Sequence, residues 1–177
     1  MSSLVYEVVY AFFFIFPAYV ANAVPVILGG GRPIDGGRKM GDGKPIFGSH
    51  KTVRGLVAGV VAGTLTGVAQ AGLLRLQLPS DFVLPFQFSV WLAFAVSVGA
   101  LMGDLVHSFV KRRIGIAEGA SHPVADQLDF VLGAVLFSLF VSPPPLVTVA
   151  IILVITLPIH LLANFLAYVV GAKKTPW

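Results

Sequence analysis

Apolar residues run in five long blocks, near positions 4–22, 56–74, 86–110, 124–141 and 146–170, and most polar residues fall between them. Each block approaches or exceeds the roughly 20 residues that carry a helix across about 30 Å of hydrocarbon. The pattern predicts an all-α integral membrane protein with five transmembrane helices in a single domain over residues 1–177. Loops 23–55 and 111–123 then lie on one side of the membrane, with short connections near 76–85 and 142–145 on the other. Local signals agree. Pro123 stands where the first turn of helix four accepts a proline, "SPPP" marks a tight turn before helix five, and Pro158 is expected to kink that helix. The first block carries Glu7, has no basic flank before it and shows no small-residue cleavage site, so it reads as a retained span.

Composition strengthens this picture. The chain is 56% hydrophobic and 11% charged, with a mean hydropathy of +0.90, whereas soluble domains carry about 25% charged residues. With no cysteine, disulfides, thiolate metal sites and cysteine nucleophiles are excluded. Of the 12 Lys and Arg, only Arg75 lies on the side of the short connections. This asymmetry orients the N-terminus outside and the C-terminus in the cytoplasm. The surplus of +4 is thus a topological signal, and no nucleic-acid partner is expected. Function is expected at the cytoplasmic face.

On helix two, Gly55, Gly59, Gly63 and Gly67 form a four-residue ladder, a face that lets neighbouring backbones approach closely in lipid. It could pack within one chain or join a homodimer. The loop before it is unlike the rest of the chain: residues 21–55 hold nine glycines, three prolines, two aspartates and six basic residues. Such glycine density lets backbone N–H groups converge on an anion, although a solvated basic loop would have a similar composition. Within it, "GKPIFGSHKT" imitates a Walker loop but places Ser49-His50 where Lys-Ser/Thr belongs, and no strand precedes it. It is not a P-loop.

The chemistry concentrates near the cytoplasmic end of helix three. Asp104, Ser108 and Lys111 follow one another at four- and three-residue steps, placing carboxylate, hydroxyl and ammonium along about 10 Å of one helix face, with His107 at its border. A carboxylate at this depth is costly unless something pairs with it. Helix four opens with Asp126 and Asp129 on one face, and the short connection makes the two helices antiparallel neighbours. Asp104, Asp126 and Asp129 are therefore expected to meet, and three ionised carboxylates in a low dielectric call for a cation. An all-oxygen set suits Mg²⁺ or Mn²⁺. Metal facing Lys and Arg is the arrangement that phosphoryl or nucleotidyl transfer requires. Two blander readings stand beside it: ion pairs of the aspartates with Lys111, Arg112 and Arg113, or a favourable placement of Asp126 at a helix N-terminus.

At these residues the chain resembles a known family. "ANAVPVILGGGRPIDGG", "FGSHKTVRG" and "GDLVHSFVKRR…PVADQLD" look like CDP-archaeol synthases, archaeal relatives of the bacterial CDP-diacylglycerol synthases. The bacterial signature pairs S-x-x-K-R with a later D-R-x-D; here those positions hold Ser108, Lys111 and Arg112, then Asp126, Gln127 and Asp129. The resemblance implies that CTP and an unsaturated archaeal ether-lipid phosphate, 2,3-bis-O-geranylgeranyl-sn-glycerol 1-phosphate, give CDP-archaeol and pyrophosphate with Mg²⁺. It implies catalytic roles for Asp104, Asp126, Asp129 and Lys111. It also implies contacts to CTP or lipid phosphate from Asn22, Pro25, Asp35, Gly48, His50, Lys51, Thr52, Arg54, Gly55, Ser108 and Arg112. The competing class is an ion- or proton-coupled transporter using Asp104 and His107, in which His160 and Asn164 are the main further polar positions. A structural adaptor is the third reading, and it leaves three intramembrane aspartates without a purpose.

Overall fold

A computed structural model describes residues 3–77, 89–120, 122 and 124–171. It contains five helices: α1 (Ser3–Leu28), α2 (Val53–Gln77), α3 (Val90–Arg113), α4 (Ala125–Ser138) and α5 (Leu146–Val169). Four of them, all but α4, are long and apolar enough to cross a membrane. At 14 residues, α4 rises only about 21 Å, so the fourth apolar block makes a shorter helix than its composition suggests. The first block makes a longer one: α1 continues past residue 22 to Leu28, with Pro17 and Pro25 inside it. Pro158 lies inside α5, whose N-cap is Pro145 at the end of the predicted turn. Pro123, Lys173 and Lys174 lie outside the described residues, as does most of the 76–85 connection.

The glycine ladder of α2 is consumed inside the chain. A Cβ at Gly59 would stand 2.6 Å from the Ala21 carbonyl oxygen, one at Gly63 2.7 Å from that of Pro17, and one at Gly67 2.4 Å from the Ala93 Cβ. The ladder thus seats α2 against α1 on one side and α3 on the other, both antiparallel to it. Of the two uses open to this face, packing within the chain is the one observed: α1 and α3 fill it.

α1 packs on all four other helices. Its Tyr10, Ala11, Phe14, Ile15 and Ala18 meet Leu92, Val96 and Ala100 of α3, Phe130, Val131 and Ala134 of α4, and Ile152 of α5 in one core. Outward faces remain apolar: Val57, Val61 and Leu65 of α2 and Val154, Leu162 and Phe165 of α5 are exposed, as surfaces solvated by lipid tails should be. With neighbours antiparallel, the end of α1, the start of α2, the end of α3, the start of α4 and the end of α5 gather at one pole. Both basic loops lie there.

Candidate active site

The site is built on the α3–α4 crossing. A Cβ at Gly103 would meet the Asp129 carbonyl oxygen at 2.2 Å, and one at Gly133 would meet that of Gly99 at 2.2 Å. Only hydrogen fits at these points, so the two backbones touch. This contact sets Asp104, His107 and Lys111 of α3 against Asp126 and Asp129 of α4. The small-residue pair Gly99/Gly103, four apart, is the sequence signal for it, a shorter counterpart of the α2 ladder.

Each of two aspartates holds a lysine. Lys51 Nζ donates to both oxygens of Asp104 at 2.7 and 2.6 Å, and Lys111 Nζ donates to both oxygens of Asp126 at 2.8 and 2.9 Å. His107 Nε2 lies 2.9 Å from Asp126 and its ring stacks on His122 at 5.3 Å, while the His122 N–H donates to the same carboxylate at 2.6 Å. The three expected aspartates line one cavity, but they are not equally close to one another. The group whose ligand atoms all lie within 4.8 Å is His107, Asp126 and Asp129; among the described residues Asp104 is not part of it, because its carboxylate is turned to Lys51. One of the blander readings is also realised, since Lys111 does pair with Asp126.

The glycine-rich loop is ordered by its own hydrogen bonds. Ile34 N–H donates to the Lys51 carbonyl at 2.8 Å and Met40 N–H to that of Lys44 at 2.9 Å, with antiparallel bridges Pro33–Thr52 and Lys39–Pro45. Asp35 is its organiser. It accepts N–H bonds from Gly37 and Phe47 at 2.8 and 3.0 Å. Partial burial acts to raise the Asp35 pKa, but the N–H donors of Phe47, Gly37 and Gly48 outweigh it and hold the carboxyl below its ordinary value. Thr52, 5% exposed, caps α2 by accepting the Gly55 N–H at 3.1 Å and ties down the end of α1 by accepting that of Gly30 at 3.2 Å. The positive end of the α2 dipole is thereby presented beside Lys51.

Arg113 fastens the loop to α3. It pairs with Asp42 at 2.8 Å, donates to the Lys44 and Pro45 carbonyls and lies over Phe109, while Lys44 Nζ returns a bond to the Arg113 carbonyl at 3.0 Å. A second tie runs across the mouth: Glu118 accepts both the Ser49 N–H at 3.0 Å and the Ser49 hydroxyl at 2.6 Å. The Ser49 hydroxyl, more than the opposing effect of burial, holds the Glu118 carboxyl below its ordinary value, with His50 and Arg112 adding to it.

These elements enclose a cavity of about 1180 Å³. Asn22, Pro25, Gly48, His50, Lys51, Thr52, Gly55, Asp104, Ser108, Lys111, Arg112, Asp126 and Asp129 all line it. Two expected residues do not. Asp35 supports the wall from behind through Phe47 and Gly48. Arg54 is turned away: its Nε donates to the Leu28 carbonyl at 2.9 Å and Nη2 to that of Gly29, so it closes the C-terminus of α1. Residues that the motif reading passed over include Glu118, Tyr19 and Phe130; Tyr19 bonds Thr156 at 2.8 Å and places its ring 5.7 Å from that of Phe130. His160 and Asn164 of α5 also line the cavity, joined to each other at 3.1 Å.

The whole chain has known relatives. A family model described as CarS-like, CDP-archaeol synthase, matches residues 2–177. A CDP-archaeol synthase from Thermococcus gammatolerans is 46% identical over 168 residues, 95% of each chain. One from Methanocaldococcus jannaschii is 44% identical over 166 residues, 93% of this chain and 94% of its own. A solved intramembrane enzyme for archaeal membrane lipids biosynthesis superposes with a TM-score of 0.75 at 40% identity, covering 87% of this chain and 92% of that one. The chain belongs to the CDP-archaeol synthase family, and it is a membrane cytidylyltransferase for archaeal lipids.

Proposed function

We propose that this enzyme joins CTP to 2,3-bis-O-geranylgeranyl-sn-glycerol 1-phosphate, giving CDP-archaeol and pyrophosphate in a Mg²⁺-dependent reaction at the cytoplasmic face. One observation carries the reading: the cavity holds Lys51, Lys111 and Arg112 against three aspartates, where a phosphate-ordering loop and the α2 N-terminus converge. An oxygen of the lipid phosphate attacks the α-phosphorus of CTP, the bond from that phosphorus to the bridging oxygen breaks, and pyrophosphate leaves with the electron pair. A phosphate dianion needs no protein base to do this. Lys51, Lys111 and Arg112 take up charge on the phosphates, and the positive end of the α2 dipole faces them. Lys51 and Lys111 stand on carboxylates where a cation is required, and phosphate competes for both ammonium groups.

Two carboxylates and one imidazole converging within 4.8 Å fit a hard divalent ion, so His107, Asp126 and Asp129 would hold Mg²⁺ or Mn²⁺, with Asp104 adding negative charge beside them. When bound, such an ion neutralises phosphate oxygens as charge builds in the transition state. The basic asymmetry supports five crossings with the N-terminus outside, α4 completing its crossing with the residues that follow it. An ion path through Asp104 and His107 has less support, because Asp104 is bound to Lys51 and His107 to Asp126. The test is purified protein with Mg²⁺, CTP and a panel of lipid phosphates, with chromatographic detection of a CDP-lipid. Ion flux in liposomes without any CDP-lipid would overturn the reading.

A further inference from the structure

Glu118 stands apart from every role assigned above. It sits on a short strap after α3, between Gly115 and Gly119, whose φ angles of 84° and 79° few other residues tolerate. The strap is tied back by Arg112, whose Nη2 donates to the Ala117 carbonyl at 3.2 Å. From this position Glu118 reaches across the cavity mouth to the phosphate loop and takes two donors of Ser49, its N–H at 3.0 Å and its hydroxyl at 2.6 Å. Gly48 makes room for it: with φ at 108°, it passes so close that a Cβ there would lie 3.0 Å from the Glu118 carboxyl carbon.

The donors around this carboxylate are those of an anion site. His50 and Arg112 both act on it electrostatically. Arg112 is 6% exposed, lines the cavity, and its Nε is buried with no partner among the described residues. A buried, incompletely bonded guanidinium beside a backbone N–H and a hydroxyl is a set of donors larger than one exposed carboxylate needs. A polyphosphate would use all of them.

We propose that Glu118 is a displaceable internal anion that occupies the subsite for the outer phosphates of the nucleotide, closing the mouth when the site is empty and competing with the triphosphate for Ser49, His50 and Arg112. This rests on the nucleotide reading above and adds a regulatory element to it. Entry of the triphosphate displaces the carboxylate, the strap swings on Gly115 and Gly119, and the departing pyrophosphate is replaced by Glu118. The device discriminates by chain length, because only a ligand with phosphates beyond the α position must evict it.

The experiment measures equilibrium binding of CTP, CMP and inorganic pyrophosphate to the full-length protein in detergent, for wild type, Glu118→Gln, Ser49→Ala and the double variant. Glu118→Gln should tighten CTP and pyrophosphate on the order of three- to tenfold, the gain from releasing a site that is mostly self-occupied, and leave CMP unchanged. In the Ser49→Ala background that gain should shrink, since the tie it relieves has already lost its hydroxyl donor and keeps only the backbone N–H. Weaker or unchanged CTP binding in Glu118→Gln would overturn the proposal, as would equal tightening of CMP. Failure of the wild type to bind CTP at all would instead refute the nucleotide reading itself, so the two failures are distinguishable. Should Glu118→Gln fold poorly, Glu118→Ala removes the same carboxylate and is expected to tighten CTP and pyrophosphate but not CMP; unchanged CTP binding would count against displacement.

Discussion

Replacing Asp126 by Asn separates the roles of the two α4 aspartates. Asn keeps an oxygen that can accept the His122 N–H, held at 2.6 Å in the native site. It loses the charge that Lys111 meets at 2.8 and 2.9 Å. The Lys111 side chain is 11% exposed and that of Asp126 27%, so an ammonium is left largely buried without its counterion. Breaking such a pair costs about 2–3 kcal/mol, below the range for fully buried pairs because water still reaches Asp126. For a chain of 177 residues that lowers the melting temperature by about 4–12 °C. Asp129 differs. No lysine pairs with it directly among the described residues; Asp104 and Asp126 oppose its charge, and Lys51, itself bound to Asp104, offsets them only in part. Asp129→Asn should therefore leave melting steady or raise it. Both variants should lose activity by orders of magnitude, and Lys111→Met combined with Asp126→Asn should recover most of the stability but none of the turnover. Scanning fluorimetry in detergent, read beside turnover, decides it. Equal melting losses at the two aspartates, or none at Asp126, would refute the reasoning.

Thr52→Ala removes the acceptor for the Gly55 and Gly30 N–H groups and should cost about 1–2 kcal/mol, with Thr52→Ser close to wild type in the same melting assay. Gly103→Val should part α3 from α4 and lower both melting and activity. Gly72→Ala, where an added Cβ meets nothing within 4 Å, should be neutral or slightly stabilising. Because the Asp35 carboxyl is held below its ordinary value of 3.8, its contribution to loop order is present above that pH and disappears as pH falls through the folded-state pKa. Hydrogen exchange across residues 29–52 should show this acid-induced loosening, and Asp35→Asn should abolish its pH dependence while loosening the loop at neutral pH.

Much of this was legible in the sequence because lipid imposes simple rules. Uninterrupted apolar length marks helices, and Lys and Arg placement marks one pole. The motif residues from Asn22 to Asp129 also reach one cavity, Arg54 and Asp35 excepted. What the sequence did not disclose is pairing. Spacing showed that three aspartates could approach one another, but it could not show that Lys51, which arrives from a loop 53 residues earlier, satisfies Asp104, or that His107 takes the third place beside Asp126 and Asp129. Arg54 shows a related ambiguity: a basic residue beside a glycine-rich loop also suits the unpaired carbonyls at the end of a neighbouring helix, where its side chain is found. The α2 ladder was recognised as a packing face, yet periodicity does not name the partner, and α1 and α3 fill it.

The central claim is that the α-phosphate of CTP passes to a lipid phosphate at the cavity where Lys51, Lys111 and the three aspartates meet. The direct measurement supplies the purified enzyme with Mg²⁺, the geranylgeranyl ether-lipid phosphate and CTP labelled at either the α- or the γ-phosphate. The account predicts label in the lipid product only from the α position, γ label only in pyrophosphate, and loss of both in Asp129→Asn. Transfer of γ label to the lipid would make the protein a kinase and contradict the account.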